Sequence, residues 1–309
     1  MSNLKIFNIS VIIPVYNGEK YIEKAIESAF SQKDVVEVVV VEDGSTDSTL
    51  DLLYKIQKKE PRLVVLRHQY GVNKGRSKSR NLGIQNAKST YIAFLDADDF
   101  YLPHRFDMDK KIFNNDNSVD GVYNAIGSHF YIDCSIEEKE KLKLLSVWEV
   151  IPPEKLFESM TPIGHKGYFS GDGLTVHRRV FDSVGFFNPK LSVAEDTELY
   201  LKMALQCKLI GGVIDTPVAL RGVHDTNVFR GNEALYIKNR KLMYESLLNW
   251  SFKKNINDYR FFKLWTCLWR NRKSLKKSYI SDMFYWISLV SKYPKLLKFK
   301  KYYNPLKFK

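Results

Sequence analysis

Three aspartates close the stretch Tyr91–Asp99, Y-I-A-F-L-D-A-D-D. Tyr91 to Leu95 carries no charge and is rich in β-branched and aromatic side chains, the pattern of a strand buried on both faces. It runs straight into Asp96, Asp98 and Asp99. A strand that ends in carboxylates delivers charge to the carboxyl edge of a sheet, where open α/β folds bind ligands. Asp96 and Asp98 are two residues apart, so in extended backbone they point the same way. Two convergent carboxylates on a rigid strand end suit a hard divalent cation that also holds phosphates. The same spacing suits a solvated turn in which one Asp caps the following helix, and the three aspartates alone do not choose between these readings.

The elements before this stretch bear on the choice. Ser10–Val15 is apolar, contains Pro14 and ends in Tyr16, Asn17 and Gly18. Gly18–Gln32 has a helical apolar face, and Val35–Val41 is a second buried strand that ends in Glu42, Asp43 and Gly44. Ser45 or Thr46 can cap the next helix, Leu63–Leu66 reads as a third strand, and Arg76–Ala87 reads as a helix after the glycine-punctuated loop 71–75. Strand and helix alternate over the first hundred residues, which implies right-handed crossovers and a mostly parallel sheet. Strand ends in such a sheet share an edge, so Tyr16 and Asn17, Asp43, and Asp96 with Asp98 should converge. The G-x-G-x-x-G fingerprint of dinucleotide folds and the Gly-Lys-Ser/Thr phosphate loop are both absent. A nucleotide here would be held by side chains and a metal.

Beyond Asp99 the periodicity loosens. Leu102–Phe113 reads as a helix with Pro103 at its start, Gly121–Ile132 as one or two strands, and Cys134–Leu145 as a charged loop. Pro152–Met160 reads as a short helix, Ser170–Gly173 as a tight turn into a short strand, and Arg178–Val184 as a helical turn closed by Gly185. Glu195–Cys207 has a helical pattern, and Leu209–Arg221 reads as two strands around Thr216-Pro217.

Four blocks in this order, S-V-I-I-P-V-Y-N-G at 10–18, V-V-V-V-E-D-G-S-T-D-S-T at 38–49, S-R-N-L-G at 79–83 and F-L-D-A-D-D at 94–99, resemble family 2 glycosyltransferases of the GT-A fold. The later pieces V-G-F-F-N at 184–188, A-E-D-T-E-L at 194–199 and R-G-V-H-D-T-N at 221–227 agree, so the resemblance covers about residues 8 to 230. It implies an α/β GT-A nucleotide-diphospho-sugar transferase domain over 1–230, with a nucleotide-binding half (1–100) and an acceptor half (101–230). It further implies a site in which Pro14, Tyr16, Asn17, Asp43, Arg80, Asp96 and Glu195 hold the nucleotide-sugar. Tyr16 would stack on the base, uracil most often, Asp43 would accept from its imide N–H, and Asp96 would contact the ribose. Asp98 and His224 would bind Mn²⁺ or Mg²⁺, which bridges the two phosphates, and Asp196 would be the catalytic base. Asn81 has two readings, near the nucleotide or simply on the polar face of its helix. Arg221 would neutralise phosphate, and Gly171–Gly173 with Asp172 would line the acceptor side.

The family's Gln-x-x-Arg-Trp pattern of processive synthases is missing, which implies one sugar added per encounter. The expected activity is inverting transfer from a UDP-sugar to a glycan or lipid-linked acceptor, as in lipopolysaccharide or capsule synthesis. Two other readings stand beside it. A nucleotidyltransferase would be expected to carry a glycine-rich triphosphate loop, which Pro14–Gly18 does not supply; the other is a non-catalytic module that binds membrane or nucleic acid.

Composition sets the frame. The 309 residues contain only three cysteines, Cys134, Cys207 and Cys267, too few and too scattered for a disulfide framework. No stretch reaches the roughly 18 uninterrupted apolar residues of a membrane span. The net charge of +13 is lopsided: residues 236–309 hold 19 Lys and Arg against Glu245, Asp258 and Asp282, a net +16, which leaves −3 for the rest. That tail also holds Trp250, Trp265, Trp269 and Trp286, four of the five tryptophans. We therefore expect a helical basic, aromatic extension over 231–309 that meets an anionic membrane surface. The expected location is cytoplasmic, peripheral on the inner face of the cell membrane. No nucleic-acid motif is present, and the aromatic tail could also mediate homo-oligomers.

Overall fold

The computed structural model describes residues 7–227, 233–275 and 278–301. Of the extension expected over 231–309, residues 231–232, 276–277 and 302–309 lie outside the described residues. The chain divides into two compact units, Met1–Gly231 and Asn232–Lys309.

The first unit is built on a seven-stranded sheet. In chain order its strands are β1 (Ile9–Val15), β2 (Val35–Glu42), β3 (Leu63–Arg67), β4 (Tyr91–Phe94), β6 (Gly121–Tyr123), β8 (Leu174–His177) and β9 (Leu209–Gly211). They lie in the order β3-β2-β1-β4-β8-β6-β9, and β8 alone runs against the others. A second sheet joins β5 (Phe100–Tyr101), β10 (Ala219–Val223) and β7 (Gly127–Phe130) in the order β5-β10-β7. The valine-rich β2 is almost wholly buried, as a strand covered on both faces must be. Helices α1 (Ile22–Phe30), α2 (Thr49–Gln57) and α3 (Arg76–Asn86) make the crossovers between the first four strands. Helix α1 buries Ile22, Ala25, Ile26 and Ala29, which recur at three- and four-residue spacing along one face. Helices α4 (Asp107–Asn115), α5 (Ile136–Leu142), α6 (Leu156–Ser159), α7 (Val180–Val184) and α8 (Glu195–Gln206) complete the unit.

Register decides what meets at the carboxyl edge. Val15 lies opposite Glu42, and Ile12 opposite Phe94, so Tyr16, Asp43 and Asp96 leave the sheet together. The chain order reverses between β1 and β4, the switch point at which open α/β sheets bind ligands. Strand β8 pairs antiparallel with β4, with Ala93 opposite Thr175. Continuing that register past the strand ends brings Asp172 opposite Asp96, and the Asp96 amide donates to Asp172 Oδ1 at 3.0 Å.

Several local expectations are corrected. The segment read as a helix from Leu102 begins only at Asp107, because Pro103 and His104 form a turn in which His104 has φ 66°. The charged segment read as a loop from Cys134 holds α5, whose first turn is capped by the Ser135 hydroxyl accepting from the Glu138 amide. Neither Ser45 nor Thr46 caps α2, which starts at Thr49. Both instead hold Asn17: its amide donates to Ser45 Oγ at 3.0 Å, and Thr46 N donates to its Oδ1 at 2.8 Å.

The second unit contains α9 (Glu233–Lys253), α10 (Asp258–Ser274), α11 (Tyr279–Lys292) and a 3₁₀ segment, Pro294–Lys301. Phe261, Leu264, Trp265, Leu268 and Trp269 of α10 are buried, so these aromatic residues form the unit's own core. Among the described residues, no helix is long and apolar enough to cross a membrane.

Gly83 allows α3 to lie close on the sheet, since a Cβ there would come within 2.5 Å of Ile12 Cγ2. Gly83→Ala should therefore destabilise the protein by about 1–3 kcal/mol, although alanine is the better helix former. A urea melt that finds the variant equal to or more stable than the parent would contradict this packing.

Candidate active site

The site is assembled at the edge where β1, β2 and β4 end. Asp96 accepts from Arg80 Nη2 at 2.6 Å, and Arg80 Nη1 donates to Glu195 Oε1 at 3.0 Å. Arg76 donates its Nε to the same Glu195 oxygen at 2.8 Å. One arginine on α3 thus links the end of β4 to the first residue of α8. Ala194 takes the left-handed conformation, φ 63°, at the start of that helix. Such a conformation costs a non-glycine residue about 1 kcal/mol or more, and here it immediately precedes the buried Glu195. Burial favours the neutral form of Arg80, but Asp96 and Glu195 outweigh it and raise its pKa. Burial likewise opposes ionisation of Asp96, yet Arg80, with help from Arg76 and Arg221, holds its pKa below the ordinary range. Glu195 moves the other way, raised by burial and by neighbouring Asp196 against the pull of the two arginines.

Asp98 meets His224, as the second sheet folds the segment after β10 over the end of β4. Asp98 Oδ2 lies 2.8 Å from His224 Nε2 and accepts from Asn227 Nδ2 at 3.2 Å. The Thr226 hydroxyl lies 2.9 Å from His224 Nδ1, and the Tyr21 ring stacks on the imidazole with centroids 5.0 Å apart. This approach needs Gly222, where a Cβ would come within 2.2 Å of the Asp98 carbonyl oxygen. Burial and the charge of Asp96 raise the Asp98 pKa, opposed by His224.

Asp99 and Asp172 lie beneath. The Gly222 amide donates to Asp99 Oδ1 at 2.8 Å, and Ser170 Oγ donates to Asp172 Oδ2 at 3.0 Å. Burial, then the charges of Asp172, Asp98 and Asp96, push the Asp99 pKa far up. The Asp172 pKa is raised as well, by burial and the charge of Asp96, against the pull of a side-chain hydrogen bond with Asp99 and of Arg221. Among the described residues, Asp96, Asp99 and Asp172 each bring a carboxylate oxygen within 4.8 Å of the others. Beside them, Asp98 and His224 offer an oxygen and an imidazole nitrogen, a donor pair that suits Mn²⁺. Asp98 is the more open ligand: its side chain is 28% exposed, whereas Asp99 and Asp172 are each 3% exposed and already hydrogen-bonded.

The remaining residues expected in the site fall as follows. Tyr16 is half exposed at the end of β1, with its ring available. Pro14 is partly buried within β1 opposite Val41, two residues from the edge. Asp43 neither caps α2 nor stands open. Its two oxygens accept from the Lys74 and Gly75 amides at 2.7 and 2.8 Å, and so clamp the loop that leads into α3. Asn81 serves structure, donating to the Phe187 carbonyl and accepting from the Phe187 amide. Asp196 is partly buried in the first turn of α8, and its Oδ1 accepts from the Thr197 amide at 2.6 Å. Thus Asp96, Arg80 and Glu195 form one hydrogen-bonded chain to which Asp196 is attached, and Asp98 with His224 stands at its other end. The sequence reading missed Arg76, Tyr21, Thr226 and Asn227 as parts of the site. It also took Asp172 for an acceptor-side residue, although its partner is the Asp96 backbone.

A profile of the family described as "Glycosyl transferase family 2" matches residues 10–181. An uncharacterized glycosyltransferase of Rickettsia felis is 33% identical over 198 residues, 63% of this chain but only 31% of that protein. One of Rickettsia typhi is 30% identical over 253 residues, 80% of this chain and 72% of that one. Among solved structures, Staphylococcus aureus TarS 1–349 in complex with UDP-GlcNAc has a TM-score of 0.61 at 21% identity, covering 88% of this chain and 76% of that one. The mannosyltransferase PcManGT of Pyrobaculum calidifontis, in complex with GDP-Man and Mn²⁺, has a TM-score of 0.52 at 17% identity, covering 94% and 82%. The fold is the GT-A fold of these transferases.

Two outcomes test this electrostatic arrangement. Arg80→Met leaves Asp96 and Glu195 without their shared cation and should cost about 3 kcal/mol in a denaturant melt; a loss below about 1 kcal/mol would mean that Arg76 alone suffices. A carboxyl with a raised folded-state pKa contributes stability below its unfolded pKa, and that contribution is lost as pH rises towards the folded value. Asp99→Asn mimics the protonated acid, so relative to the parent it should gain stability as pH rises through the range above about 4, the ordinary carboxyl value. If parallel melts show the gap constant across that range, Asp99 does not carry the raised pKa.

Proposed function

The chain belongs to glycosyl transferase family 2, and on that premise we propose that it moves a single sugar per encounter from a UDP-sugar to an acceptor hydroxyl, with inversion at the anomeric carbon. The observation that carries the reading is that the Asp98–His224 pair and the Asp96–Arg80–Glu195 chain, with Asp196 next to Glu195 in sequence, gather at the end of β4. It supports a cation-binding pair and a separate carboxylate at one sheet edge.

In this reading Tyr16 stacks on the uracil ring. Asp43 can still accept from the base imide, because each carboxylate oxygen has a second lone pair beyond the amide it already serves. Asp96, oriented by Arg80, accepts from the ribose. Asp98 and His224 hold Mn²⁺ or Mg²⁺, and the donor set fits that ion: a partly exposed carboxylate oxygen beside an imidazole nitrogen whose ring is fixed by Thr226 and Tyr21. When bound, the ion neutralises the charge that grows on the departing diphosphate.

Asp196 then has one task, to take the proton from the acceptor hydroxyl as it attacks. Glu195 cannot share that task, since Arg76 and Arg80 already engage it. A single base facing the leaving group gives in-line displacement. This differs from glycoside hydrolysis, which uses a pair of carboxyls. The acceptor is a glycan or lipid-linked sugar of a cell-surface polysaccharide, and residues 1–230 carry the reaction.

The test is a panel of nucleotide-sugars with Mn²⁺. Asp196→Asn should lower kcat by about a hundredfold or more while leaving the donor KM nearly unchanged. An Asp196→Asn enzyme as fast as the parent would remove Asp196 from the role of base. Independently of turnover, Mn²⁺ at about 100 times its Kd should stabilise the parent by about 2.7 kcal/mol, and the same Mn²⁺ concentration should stabilise it less as pH falls, because a ligating carboxyl must be ionised. Asp98→Asn should abolish that thermal shift, and an undiminished shift would place the cation elsewhere.

A further inference from the structure

Helix α11 is inside out. Its one acidic residue, Asp282, is buried and accepts from Arg272 Nε and Lys273 Nζ at 2.8 and 2.9 Å. Tyr285, on the same side, donates its hydroxyl to Glu245 Oε1 at 2.5 Å and has the Arg272 guanidinium over its ring. The helix therefore packs on its own unit through these polar and aromatic contacts together with the buried Leu289. Its outward face is apolar: Ile280 and Phe284 are each 62% exposed, Ile287 45% and Met283 37%. Positions 280, 284 and 287 stand at four- and three-residue spacing, so they form one continuous stripe. A helix on a water-soluble unit should show the reverse arrangement. A contiguous patch of large apolar side chains on a surface marks a binding face.

Charge indicates what covers it. Residues 236–309 carry 19 basic against three acidic side chains, and two of those acids, Glu245 and Asp282, are spent on the partners just named. Lys292 closes α11 and Lys298 lies in the segment that follows, both exposed, whereas Lys295 is turned inward to Asp258 and the Ile256 carbonyl. An apolar stripe next to exposed lysines matches the headgroup–acyl boundary of an anionic bilayer, apolar side down and ammonium groups at the phosphates. We propose that α11 is a membrane-docking helix that inserts Ile280, Met283, Phe284 and Ile287 into the surface of an anionic lipid bilayer. The basic tail as a whole thus does not act as an undirected polycation: the Trp265 and Trp269 rings are core, and α11 is the element that reaches lipid. This inference is independent of the transfer chemistry and survives any reassignment of donor or base.

The experiment is flotation of the purified full-length chain with vesicles of phosphatidylcholine containing about a third phosphatidylglycerol, against vesicles of phosphatidylcholine alone, at low salt and at about 0.5 M salt. The parent should float with the anionic vesicles, less with the neutral ones, and salt should weaken its binding without abolishing it. The pair Phe284→Ser and Ile287→Ser should weaken binding at least about tenfold at unchanged helix content and melting temperature, and Phe284→Leu should retain it. Failure of the parent to float would overturn the proposal. So would flotation that the serine pair leaves intact, which would mean lysines alone bind the surface. A parent dimer in light scattering that the serine pair converts to monomer, without lipid binding, would assign the stripe to a second copy of the chain.

Discussion

The site depends on one buried cation. Asp96, Asp98, Asp99, Asp172, Glu195 and Asp196 crowd the edge of one sheet, and without compensation their repulsion would open it. Arg80 is the group that both Asp96 and Glu195 need, and its planar fork donates to one from each amino nitrogen. A lysine would supply the charge but not the two fixed directions. Arg76 doubles the hold on Glu195, and Arg221 lends charge to Asp96, Asp99 and Asp172. Asp98 is faced by a histidine and an asparagine amide rather than by an arginine.

A second ionic cluster, deeper in the unit, supports the first. Arg105 and Asp109 are fully buried and bonded at 2.9 Å, and Asn124 and Thr175 satisfy the remaining carboxylate lone pairs. A buried pair of this kind is justified less by its net stability, which desolvation largely cancels, than by what it fixes. Here Arg105 Nε also donates to the Asp172 carbonyl at 3.0 Å, which ties the turn before β8 to α4. That turn carries the side chain which accepts from the Asp96 amide. Misplacing Asp172 would release the backbone of the aspartate stretch itself, so the ordering of the site begins two layers below the surface.

How much of this could be read in advance follows from what sets each feature. The strands and crossovers of the first hundred residues were legible because burial on both faces leaves an unbroken apolar run. The meeting of Asp98 with His224 was legible only through family resemblance: 126 residues separate them, and no local periodicity encodes the second sheet that joins them. Asp172 could have been placed from geometry, but only given that β8 runs antiparallel beside β4, which a four-residue strand does not announce. Arg105 and Asp109, four apart on a charged helix, look like a solvated pair; burial is a tertiary fact. Asp43 shows the complementary case, a residue read as a base partner whose visible partners, the Lys74 and Gly75 amides, come from a loop too irregular to read.

The C-terminal unit shows why composition alone misdirects. Counting aromatic and basic residues points to the whole tail as a surface-seeking element, and α10, with two tryptophans and two phenylalanines in nine residues, looks like its centre. Packing reverses that order. Trp265 and Trp269 stack on each other with centroids 6.0 Å apart and are buried in the unit. Helix α11, less rich in tryptophan, turns its polar side inward because Arg272, Lys273 and Glu245 offer partners there. Three charged or hydroxylic contacts are enough to fix the rotation of a fourteen-residue helix, and once it is fixed the apolar stripe has nowhere to go but outward. The direction of that stripe is therefore a consequence of Asp282: a hydrophobic face is exposed because a carboxylate is buried.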